Sequence, residues 1–339
     1  MGKSTPQSLS QKNILVIGAA RQGLAATAYL LSLGAKVTIN DQRADGELQD
    51  TLKTIQEKYR HGRLITVLGQ GHPIELLDGI DLLCLSGGIP LTIPMVQEAI
   101  KRGIPLSNDS QLLMEAVPCK VIGITGSAGK TTTTTLLGRM LKTWEAMPGC
   151  PYRKIWIGGN IGNPLIEQVE SMTAADLVLL ELSSFQLDIM TISPTISAVL
   201  NITPNHLDRH STMEAYTAAK ANILNYQTKT DWAILNREDA GSISLVPLVK
   251  GNLATFGIEK SAKHDKTGTV FFVENDDLKA AVENEIIPIM PKSTIRLRGQ
   301  HNLINVLAAC TVAYAAGAPF AVMKEGVEGF EGVAHRLEF

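Results

Sequence analysis

Residues 120–131 read K-V-I-G-I-T-G-S-A-G-K-T, an apolar run followed by a glycine-rich turn that ends in Lys-Thr. A strand, a tight turn and the start of a helix form the setting that a phosphate-binding loop needs. The glycines let backbone N–H groups face phosphate oxygens, and the positive end of the helix dipole strengthens that attraction. The stretch therefore predicts a nucleotide-binding α/β domain.

Two side chains of this loop have predicted chemical roles. Lys130 would neutralise the β- and γ-phosphates of ATP, and the Thr131 hydroxyl would bind Mg²⁺. The common loop pattern has a glycine five residues before Gly129, where this chain has Ile124, so the strict motif is missed by one position. The alternative is a glycine-rich turn with a chance Lys-Thr. The predicted ATP contacts in the loop are Gly126, Ser127, Ala128, Gly129, Lys130, Thr131 and Thr132.

Short apolar runs alternate with helical stretches on both sides of the loop. Before it, strands are predicted at 13–18, 35–40, 64–68 and 81–85, with a helix at 94–102. After it, strands are predicted at 154–157, 176–181, 196–200 and 232–235, with helices at 131–144 and 213–224 and a strand-rich, less regular region at 246–297. This alternation predicts parallel sheets covered on both faces. We expect an α/β protein with an N-terminal Rossmann-like parallel-sheet domain at 1–112 and a P-loop-type central ATPase domain at 113–332.

The composition limits the class of protein. Of 339 residues, 45% are hydrophobic and 19% are charged, as in soluble proteins of two or three domains. The net charge of −2 gives no general attraction to nucleic acid or anionic membranes. The four cysteines form no C-x-x-C pair, and residues 1–13 lack the apolar core of a signal peptide. Residues 303–322 are apolar but polar and helix-breaking residues interrupt them, so they predict a buried helix rather than a membrane span. A cytoplasmic location is the prediction.

Three further residues are candidates for a functional role near the phosphates of the nucleotide. Glu181 ends a predicted strand and could hold Mg²⁺, or be an ordinary strand-end carboxylate. His206 lies in N-I-T-P-N-H-L-D-R-H at 201–210, after another strand, where α/β sheets bind ligands; a surface histidine is the alternative. Lys220 lies among alanines on a predicted helix, and a partly buried lysine usually pairs with a carboxylate.

A second glycine loop, G-A-A-R-Q-G at 18–23, joins the first predicted strand to a helix. Asp41 ends the next strand, at the spacing of the ribose-binding acid of Rossmann domains. Ala20 replaces the middle glycine of the dinucleotide fingerprint, which weakens a dehydrogenase interpretation. Another diphosphate nucleotide, such as a UDP sugar, would fit equally. S-G-G-I-P at 86–90 could complete this pocket or be a plain turn.

Taken together, these motifs resemble those of the Mur ligases. The matching stretches are T-G-S-A-G-K-T at 125–131, G-N-I-G at 159–162, E-L-S-S-F-Q-L at 181–187, the segment 201–210, Lys220, G-Q-H-N-L-I-N at 299–305 and H-R-L-E at 335–338. They occur in the family's order and cover nearly the whole chain. The E-L-S-S-F-Q-L stretch is most like that of members that add D-glutamate to UDP-N-acetylmuramoyl-L-alanine.

The resemblance implies a mechanism and its cofactors, ATP and Mg²⁺. ATP would phosphorylate the terminal carboxylate of the UDP-linked substrate, and the amine of D-glutamate would attack the acyl phosphate. Lys130 would contact the transferred phosphate, and Thr131 and Glu181 would serve one Mg²⁺. A second Mg²⁺ would be held by Glu181, His206 and a carbamylated Lys220, because a carbamate offers the oxygen ligand that an ammonium cannot.

The resemblance also assigns binding residues. His301, Asn302 and Asn305 would lie near the adenine of ATP, which Arg336 would approach from a hinge. Asn160 and Ser183 would lie near the reacting arm of the UDP substrate. The first domain would hold the UDP moiety through Gly18, Ala20, Arg21, Gln22, Gly23, Asp41, Gln42, Ser86, Gly87 and Gly88.

The family has a third domain, of roughly 100–150 residues, that brings the amino acid and closes over ATP. The sequence ends at Phe339, three residues after Arg336. Residues 333–339 are therefore expected to be the hinge and the start of that domain, and this fragment is expected to ligate poorly. The alternatives are another Mur or folylpolyglutamate-type ligase, a non-catalytic nucleotide-binding module and, third, a dehydrogenase. A monomer without nucleic-acid partners or membrane insertion is predicted.

Overall fold

The computed structural model describes residues 9–205, 207–210, 212–260, 268–283 and 285–332, with backbone alone at 207 and 208. His206, Arg336 and the predicted hinge at 333–339 lie outside the described residues. The chain forms two compact units. The first comprises residues up to 118 with the later segments 163–172 and 188–191, and the second comprises 119–162, 173–187 and residues from 192 onward. The predicted boundary at 112/113 falls inside the helix Asp109–Ala116, which belongs to the first unit as a whole.

The first unit is built on a five-stranded parallel sheet, as predicted for a Rossmann-like domain. Its elements are β1 (Asn13–Ile17), α1 (Arg21–Ser32), β2 (Lys36–Asp41), α2 (Gly46–Lys58), β3 (Arg63–Leu68), β4 (Leu82–Leu85), α3 (Pro94–Lys101), β5 (Leu106–Ser107) and α4 (Asp109–Ala116). The strand order is β3-β2-β1-β4-β5. The central strand β1 is fully buried after its first residue, and Leu15 and Ile17 pack with Met95 and Val96 of α3. This burial fixes the carboxyl end of β1, where the glycine loop begins.

The second unit is built on a nine-stranded mixed sheet. Its strands are β6 (Lys120–Thr125), β7 (Ile155–Gly159), β8 (Leu177–Glu181), β9 (Ile196–Val199), β10 (Trp232–Asn236), β11 (Asn252–Phe256), β12 (Thr269–Glu274), β13 (Asp277–Val282) and β14 (Glu285–Pro291). Its helices are α5 (Lys130–Glu145), α6 (Ser184–Leu187), α7 (Leu207–His210), α8 (Met213–Asn225), α9 (Ala240–Ile243), α10 (Gln300–Ala315) and α11 (Phe320–Val327). The strand order is β14-β13-β12-β11-β10-β9-β6-β8-β7.

The strand direction changes at one end of this sheet. The strands from β7 to β12 are parallel, as predicted, but β13 and β14 run antiparallel to their neighbours. The two antiparallel strands lie in the region 246–297, which was predicted to be strand-rich and less regular. Asn275 and Asp276 join β12 to β13 with positive φ angles of 55° and 59°. A two-residue turn of that kind returns the chain directly into an antiparallel hairpin.

The apolar region at 303–322 forms two helices rather than the predicted single one. Gly317 has a φ of 90° and Pro319 lies just before α11, and together they end one helix and start the next. Both helices contribute to the main core, in which Val306 and Leu307 of α10 belong to the same cluster as Leu137 and Met140 of α5. Helices α5 and α10 are therefore held side by side. Within the described residues, no helix is both long enough and apolar enough to cross a membrane.

Candidate active site

Three neighbouring strands of the second unit bring Glu181 and the phosphate loop to one edge of the sheet. Strand β6 lies between β8 and β9, and all three are parallel. Ile124 pairs with Glu181 at the end of β8, and Thr125 pairs with Val199 near the end of β9. Glu181, the glycine-rich loop and the segment that starts at Asn201 therefore follow adjacent carboxyl ends, where open α/β sheets bind ligands.

The loop turns into α5 at Gly129, which has a φ of 84° that favours glycine. A Cβ at this position would lie 2.3 Å from Oδ1 of Asn305, so the space above the loop is also restricted. The N-cap residue of α5 is Gly129, which has no side chain to cap the helix. The Nζ of Lys130 donates to the carbonyl of Gly126 over 2.9 Å, which folds the ammonium back across the loop. This positive region at a helix N-terminus suits an anionic phosphate.

The side chain of Ser127, a predicted ATP contact, forms hydrogen bonds with other residues of the protein. Its hydroxyl donates to the carbonyl of Thr203 over 2.9 Å and accepts from the Thr203 N–H over 3.0 Å. The hydroxyl of Tyr216 lies 3.1 Å away and must donate to it, since the single Ser127 hydroxyl proton is already given. The Ser127 side chain therefore fastens the loop to the segment after β9.

Glu181 is 2% exposed and is held by Asn160 from the end of the adjacent strand β7. The side-chain amide of Asn160 donates to Oε1 of Glu181 over 3.0 Å, and the Asn160 N–H donates to the Glu181 carbonyl over 2.8 Å. Gly159 permits this approach, because a Cβ there would lie 2.3 Å from the Glu181 carbonyl oxygen. Oε2 of Glu181 is buried and finds no hydrogen-bond partner among the described residues.

Lys220 is 1% exposed on α8, and no described carboxylate pairs with it. Its Nζ lies 3.4 Å from the hydroxyl of Thr125 at the end of β6 and 4.6 Å from the centre of the Tyr216 ring. Burial, with the nearby charge of Lys130, lowers the pKa of Lys220 to about 7. A large part of this amine is therefore neutral and nucleophilic near neutral pH, unlike an ordinary lysine.

The second unit contains a cavity of about 1320 Å³ beside the loop. Ala128, Gly129 and Thr132 line it on the side of the loop and α5. His301, Asn302 and Asn305, which were predicted to lie near the adenine, line it at the start of α10. The structure thus brings together two groups of predicted ATP residues that are some 170 positions apart in the sequence. The cavity is large enough for a nucleotide, since drug-sized ligands occupy about 300–1,000 Å³.

The observation indicating that this site could bind a divalent cation is the buried Oε2 of Glu181, which has no hydrogen-bond donor among the described residues. A carboxylate oxygen without a donor is costly to bury unless a cation or proton approaches it, and carboxylate and hydroxyl oxygens are ligands that Mg²⁺ accepts. Within the described ranges, no group of three His, Cys, Asp or Glu side chains could hold a metal alone. The residues present fit a cation that is shared with phosphate oxygens and water.

Ser183 lies two residues after Glu181 and directly before the short helix α6. Its N–H and its hydroxyl both donate to Oε1 of Gln186, and the Gln186 N–H donates to the Ser183 hydroxyl over 3.2 Å. Ser184, the next residue, hydrogen bonds through its hydroxyl to Nε2 of the buried His210 over 2.9 Å. The turn that carries Ser183 is therefore fixed on both sides.

In the first unit, Asp41 stabilises the glycine loop. Its Oδ2 accepts the Ala19 N–H over 2.6 Å, and its Oδ1 accepts from the backbone and side chain of Arg43. Burial would raise the pKa of Asp41, but these hydrogen bonds and the charge of Arg43 outweigh it and lower the pKa. Arg43 also donates to the Ala19 carbonyl over 2.9 Å. The predicted ribose-binding acid thus holds the loop through its own hydrogen bonds.

Gln22 connects the two glycine loops of this unit. Its Oε1 accepts the Gly87 N–H over 3.2 Å, and a Cβ at Gly87 would lie 2.3 Å from that oxygen. Gly18 has a φ of 87°, and a Cβ there would lie 2.9 Å from Cβ of Ser86. A Cβ at Gly23 would lie 1.8 Å from the Gly18 carbonyl. These five predicted residues therefore pack closely together, with no room for side chains at the glycines.

The other predicted residues of the first unit lie at the surface. Ala20 precedes α1 with extended backbone and Arg21 is its first residue, and both are exposed, as are Gln42 and Gly88. Sequence reasoning singled out neither Arg43 nor Asn201 as a site residue. Arg43 lies two residues after the strand-end acid, and Asn201 is the second residue after β9, which are the signals that could have found them.

The chain matches two protein-family descriptions. Residues 124–313 match the family described as Mur ligase middle domain, and residues 12–108 match Mur ligase MurD-like, N-terminal domain. The first match alone spans more than half of the chain.

Two curated relatives show the same likeness over almost the whole chain. The UDP-N-acetylmuramoylalanine–D-glutamate ligase of Koribacter versatilis is 37% identical over 329 residues, which cover 97% of this chain and 69% of that protein. The protein of the same name from Symbiobacterium thermophilum is 38% identical with the same coverage.

Solved structures share the fold at much lower sequence identity. The UDP-N-acetylmuramate:L-alanyl-gamma-D-glutamyl-meso-diaminopimelate ligase of Neisseria meningitides has a TM-score of 0.61 at 17% identity, covering 96% of this chain and 99% of that chain. MurF from Acinetobacter baumannii has a TM-score of 0.54 at 16% identity, covering 99% and 70%. At these identities the likeness establishes the fold alone.

Proposed function

This chain belongs to the Mur ligase family, and from that premise we propose that it joins D-glutamate to the L-alanine carboxylate of UDP-N-acetylmuramoyl-L-alanine. The reaction is the ATP-dependent, ADP-forming synthesis of an amide bond in a peptidoglycan precursor. The two relatives described above carry names that state this ligation, and each is at least 37% identical to the chain. The chain spans 69% of their length.

One observation supports the proposal more than any other: a buried acid with an unpaired oxygen stands on the strand next to the phosphate loop. Ile124, two residues before the loop glycine Gly126, pairs with Glu181. Oε2 of Glu181 has no donor within the part of the chain that the structure describes. If Glu181 had only a structural role, an apolar residue at this position would make the folded protein more stable. Its retention beside a phosphate loop favours phosphoryl chemistry.

Lys130 and the start of α5 would hold the triphosphate. The ammonium of Lys130 is already folded over the loop at Gly126 and would exchange its carbonyl acceptor for phosphate oxygens. The carboxylate oxygen of the UDP substrate then attacks the γ-phosphorus, the bond to the β-phosphate oxygen breaks and ADP leaves. Lys130 stabilises the charge that spreads over the transferred oxygens.

Thr131 and Glu181 would hold one Mg²⁺. Glu181 and Lys220 would hold a second, together with His206, which lies outside the described residues. Mg²⁺, when bound, shields the negative charge of the phosphate oxygens. Lys220 suits a carbamate, because its neutral amine can attack CO₂ and lose a proton to give an oxygen ligand. The lowered pKa of about 7 and the absence of a described carboxylate partner both support that modification.

The second half of the reaction forms the amide. The neutral amine of D-glutamate attacks the acyl carbon, a tetrahedral oxyanion forms, and phosphate leaves as the carbonyl is restored and the amine loses a proton. Asn160 keeps Glu181 in place, and Ser183 is rigidly held by Gln186. These residues would orient the acyl phosphate, since positioning supplies much of the rate in such transfers.

The first unit would bind the UDP moiety at its glycine loop. Asp41, Arg43 and Gln22 hold the loop by hydrogen bonds, which leaves its outer surface and the start of α1 for the diphosphate. The loop fits closely against Ser86 and Gly87. A cytoplasmic location and a monomeric state remain predictions.

A substrate panel tests this function. ADP release by the full-length gene product is measured with UDP-N-acetylmuramoyl-L-alanine and each of several amino acids, with Lys130→Ala as the control for contaminating ATPases. Release that requires both the UDP substrate and D-glutamate, and disappears in the variant, is expected. Release with another amino acid or with a folate acceptor would assign the chain to a different ligase, and no acceptor-dependent release would favour a nucleotide-binding module.

A further inference from the structure

Asn201, the second residue after the neighbouring strand β9, holds the phosphate loop, a role that the sequence analysis did not assign to it. The Ala128 N–H donates to Oδ1 of Asn201 over 2.8 Å, and Nδ2 of Asn201 donates to the Ala128 carbonyl over 3.1 Å. The Ser127 N–H donates to the Asn201 backbone carbonyl over 3.0 Å. One residue thus makes three hydrogen bonds to two consecutive residues of the loop.

These contacts fix the orientation of two peptide groups. The carboxamide of Asn201 grips Ala128 at both its N–H and its carbonyl, so rotation of either peptide would break a hydrogen bond. In a planar trans peptide the N–H points opposite to the carbonyl. Because the Ala128 carbonyl faces Asn201, the Gly129 N–H must face away from it. The carboxamide therefore sets the direction of the amide that precedes the first turn of α5.

The loop is also pressed against this strand by its glycine. A Cβ at Gly126 would lie 2.9 Å from Cβ of Leu200 and 3.5 Å from the Asn201 nitrogen. Ser127 adds two hydrogen bonds to Thr203. The inner side of residues 126–128 is thus bound to 200–203, and phosphate recognition is left to Gly129 and the residues after it. Asn201 itself lines the large cavity beside Gly129 and Asn305.

We propose that Asn201 is a positioning residue for phosphate binding: its carboxamide presets the Ala128–Gly129 peptide so that the Gly129 N–H meets the β-phosphate. The proposal rests on the proposed function, in that the phosphates are those of ATP. Preorganisation of this kind removes the cost of ordering the loop when the nucleotide binds. Asn201 acts on the phosphate groups through the loop, so its role does not include recognition of the adenosine part of the ligand.

The test compares two ligands, MgADP and adenosine, by titration calorimetry or competition with a fluorescent nucleotide. We expect Asn201→Ala to weaken MgADP binding by about tenfold, as for the loss of one hydrogen bond to a charged group, and to leave adenosine binding within about twofold. Asn252→Ala is the matched control. Asn252 is the first residue of β11, at the amino end of the parallel strands and so away from the carboxyl ends that carry the loop. Among the described residues, its side chain makes only long hydrogen bonds, of 3.4 and 3.5 Å, to backbone carbonyls.

The outcomes separate this proposal from the proposed function. If the unmodified chain binds no MgADP, the proposed function fails. If it binds MgADP and Asn201→Ala binds it equally well, or loses MgADP and adenosine to the same degree, the assignment of Asn201 fails. Asn201→Ser serves if the alanine variant does not fold, because its short hydroxyl cannot bridge both groups of Ala128 and the same selective loss is expected.

Discussion

The side-chain amide of Asn160 donates to Oε1 of Glu181 over 3.0 Å, while Oε2 of the same carboxylate is buried without a hydrogen-bond partner among the described residues. The protein thus holds one oxygen of this carboxylate, Oε1, and leaves the other, Oε2, for a ligand or a metal ion. A buried acceptor without a donor costs roughly 1–3 kcal/mol. Sites that bind charged ligands commonly keep such a cost in the ligand-free state.

Glu181→Gln should separate metal binding from folding. The variant keeps the side-chain volume but replaces a buried charge by a neutral amide, so we expect stability to stay equal or to rise by about 1 kcal/mol. The Mg²⁺-dependent part of ADP affinity should fall at least about tenfold, because the oxygen ligand has lost its charge. Calorimetry with and without Mg²⁺, beside a urea titration, gives both quantities. Unchanged Mg²⁺ dependence would remove Glu181 from the metal site.

Gly129→Ala should abolish nucleotide binding by strain and by obstruction. The alanine must adopt a φ near 84°, and its Cβ would collide with Oδ1 of Asn305. Gly149→Ala is a matched control, because Gly149 has a φ of 87° and nothing lies within 4 Å of the added carbon. Both variants should lose about 1–2 kcal/mol of unfolding free energy, but only Gly129→Ala should lose MgADP binding. Equal ADP affinity in the two variants would contradict the role of this turn.

Lys220 should acquire one CO₂ when the pH passes its lowered pKa. Only the neutral amine reacts, and the pKa of about 7 makes most of the folded-state amine neutral at pH 8.5 and protonated at pH 6. Ordinary lysines, with a pKa of about 10.4, remain protonated at both. Native mass spectrometry or NMR with isotope-labelled bicarbonate should therefore find a single adduct at the higher pH, which Lys220→Arg removes. Adducts spread over several lysines, or none at pH 8.5, would oppose the carbamate.

Gly87→Ala should weaken binding of the UDP substrate with little effect on stability. The added Cβ would lie 2.3 Å from Oε1 of Gln22, a flexible side-chain end that can move but must then release the Gly87 N–H. We expect the affinity for UDP-N-acetylmuramoyl-L-alanine to fall about tenfold, the equivalent of about 1.4 kcal/mol, and MgADP affinity to stay the same. Gly46→Ala is the control, since nothing lies within 4 Å of a Cβ there. Equal affinities in both variants would place the UDP group elsewhere.

Asp176→Asn should reduce stability in a pH-dependent way. Burial would raise the pKa of Asp176, but hydrogen bonds from Arg153, Trp156 and Thr173 outweigh it and hold the pKa far below its ordinary value. A depressed carboxyl pKa contributes stability that is present above the unfolded pKa of about 3.9 and is lost as pH falls through the folded value. We expect the melting temperature to drop by roughly 2–4 °C above about pH 5. The difference from the unmodified chain should shrink below pH 4, and a constant difference down to pH 2 would contradict the assignment.

The sequence located the phosphate loop and most of the strands because those features are local. A strand, a glycine turn and a helix start within twelve residues carry their own hydrogen-bonding and turn chemistry, and β6 and α5 formed where that chemistry predicted them. The same holds for β1, β2 and β8, whose apolar runs end at Gly18, Asp41 and Glu181. Glu181 was expected to end a strand, and it is the last residue of β8, paired with Ile124 of β6.

Long-range pairing decided what those residues do once they are in place. Ser127 meets Thr203 across 76 positions and Asn160 meets Glu181 across 21, and in neither case does a local pattern announce the partner. The segments 163–172 and 188–191 likewise join the first unit although the chain around them belongs to the second. The sequence alone determined which residues lie at the carboxyl ends of the strands, because local patterns fix where each strand ends. Hydrogen-bond partners that are distant in sequence depend instead on how the elements pack. Only the tertiary structure decided which of those strand-end groups hold the loops and which, such as Oε2 of Glu181, have no partner within the described chain.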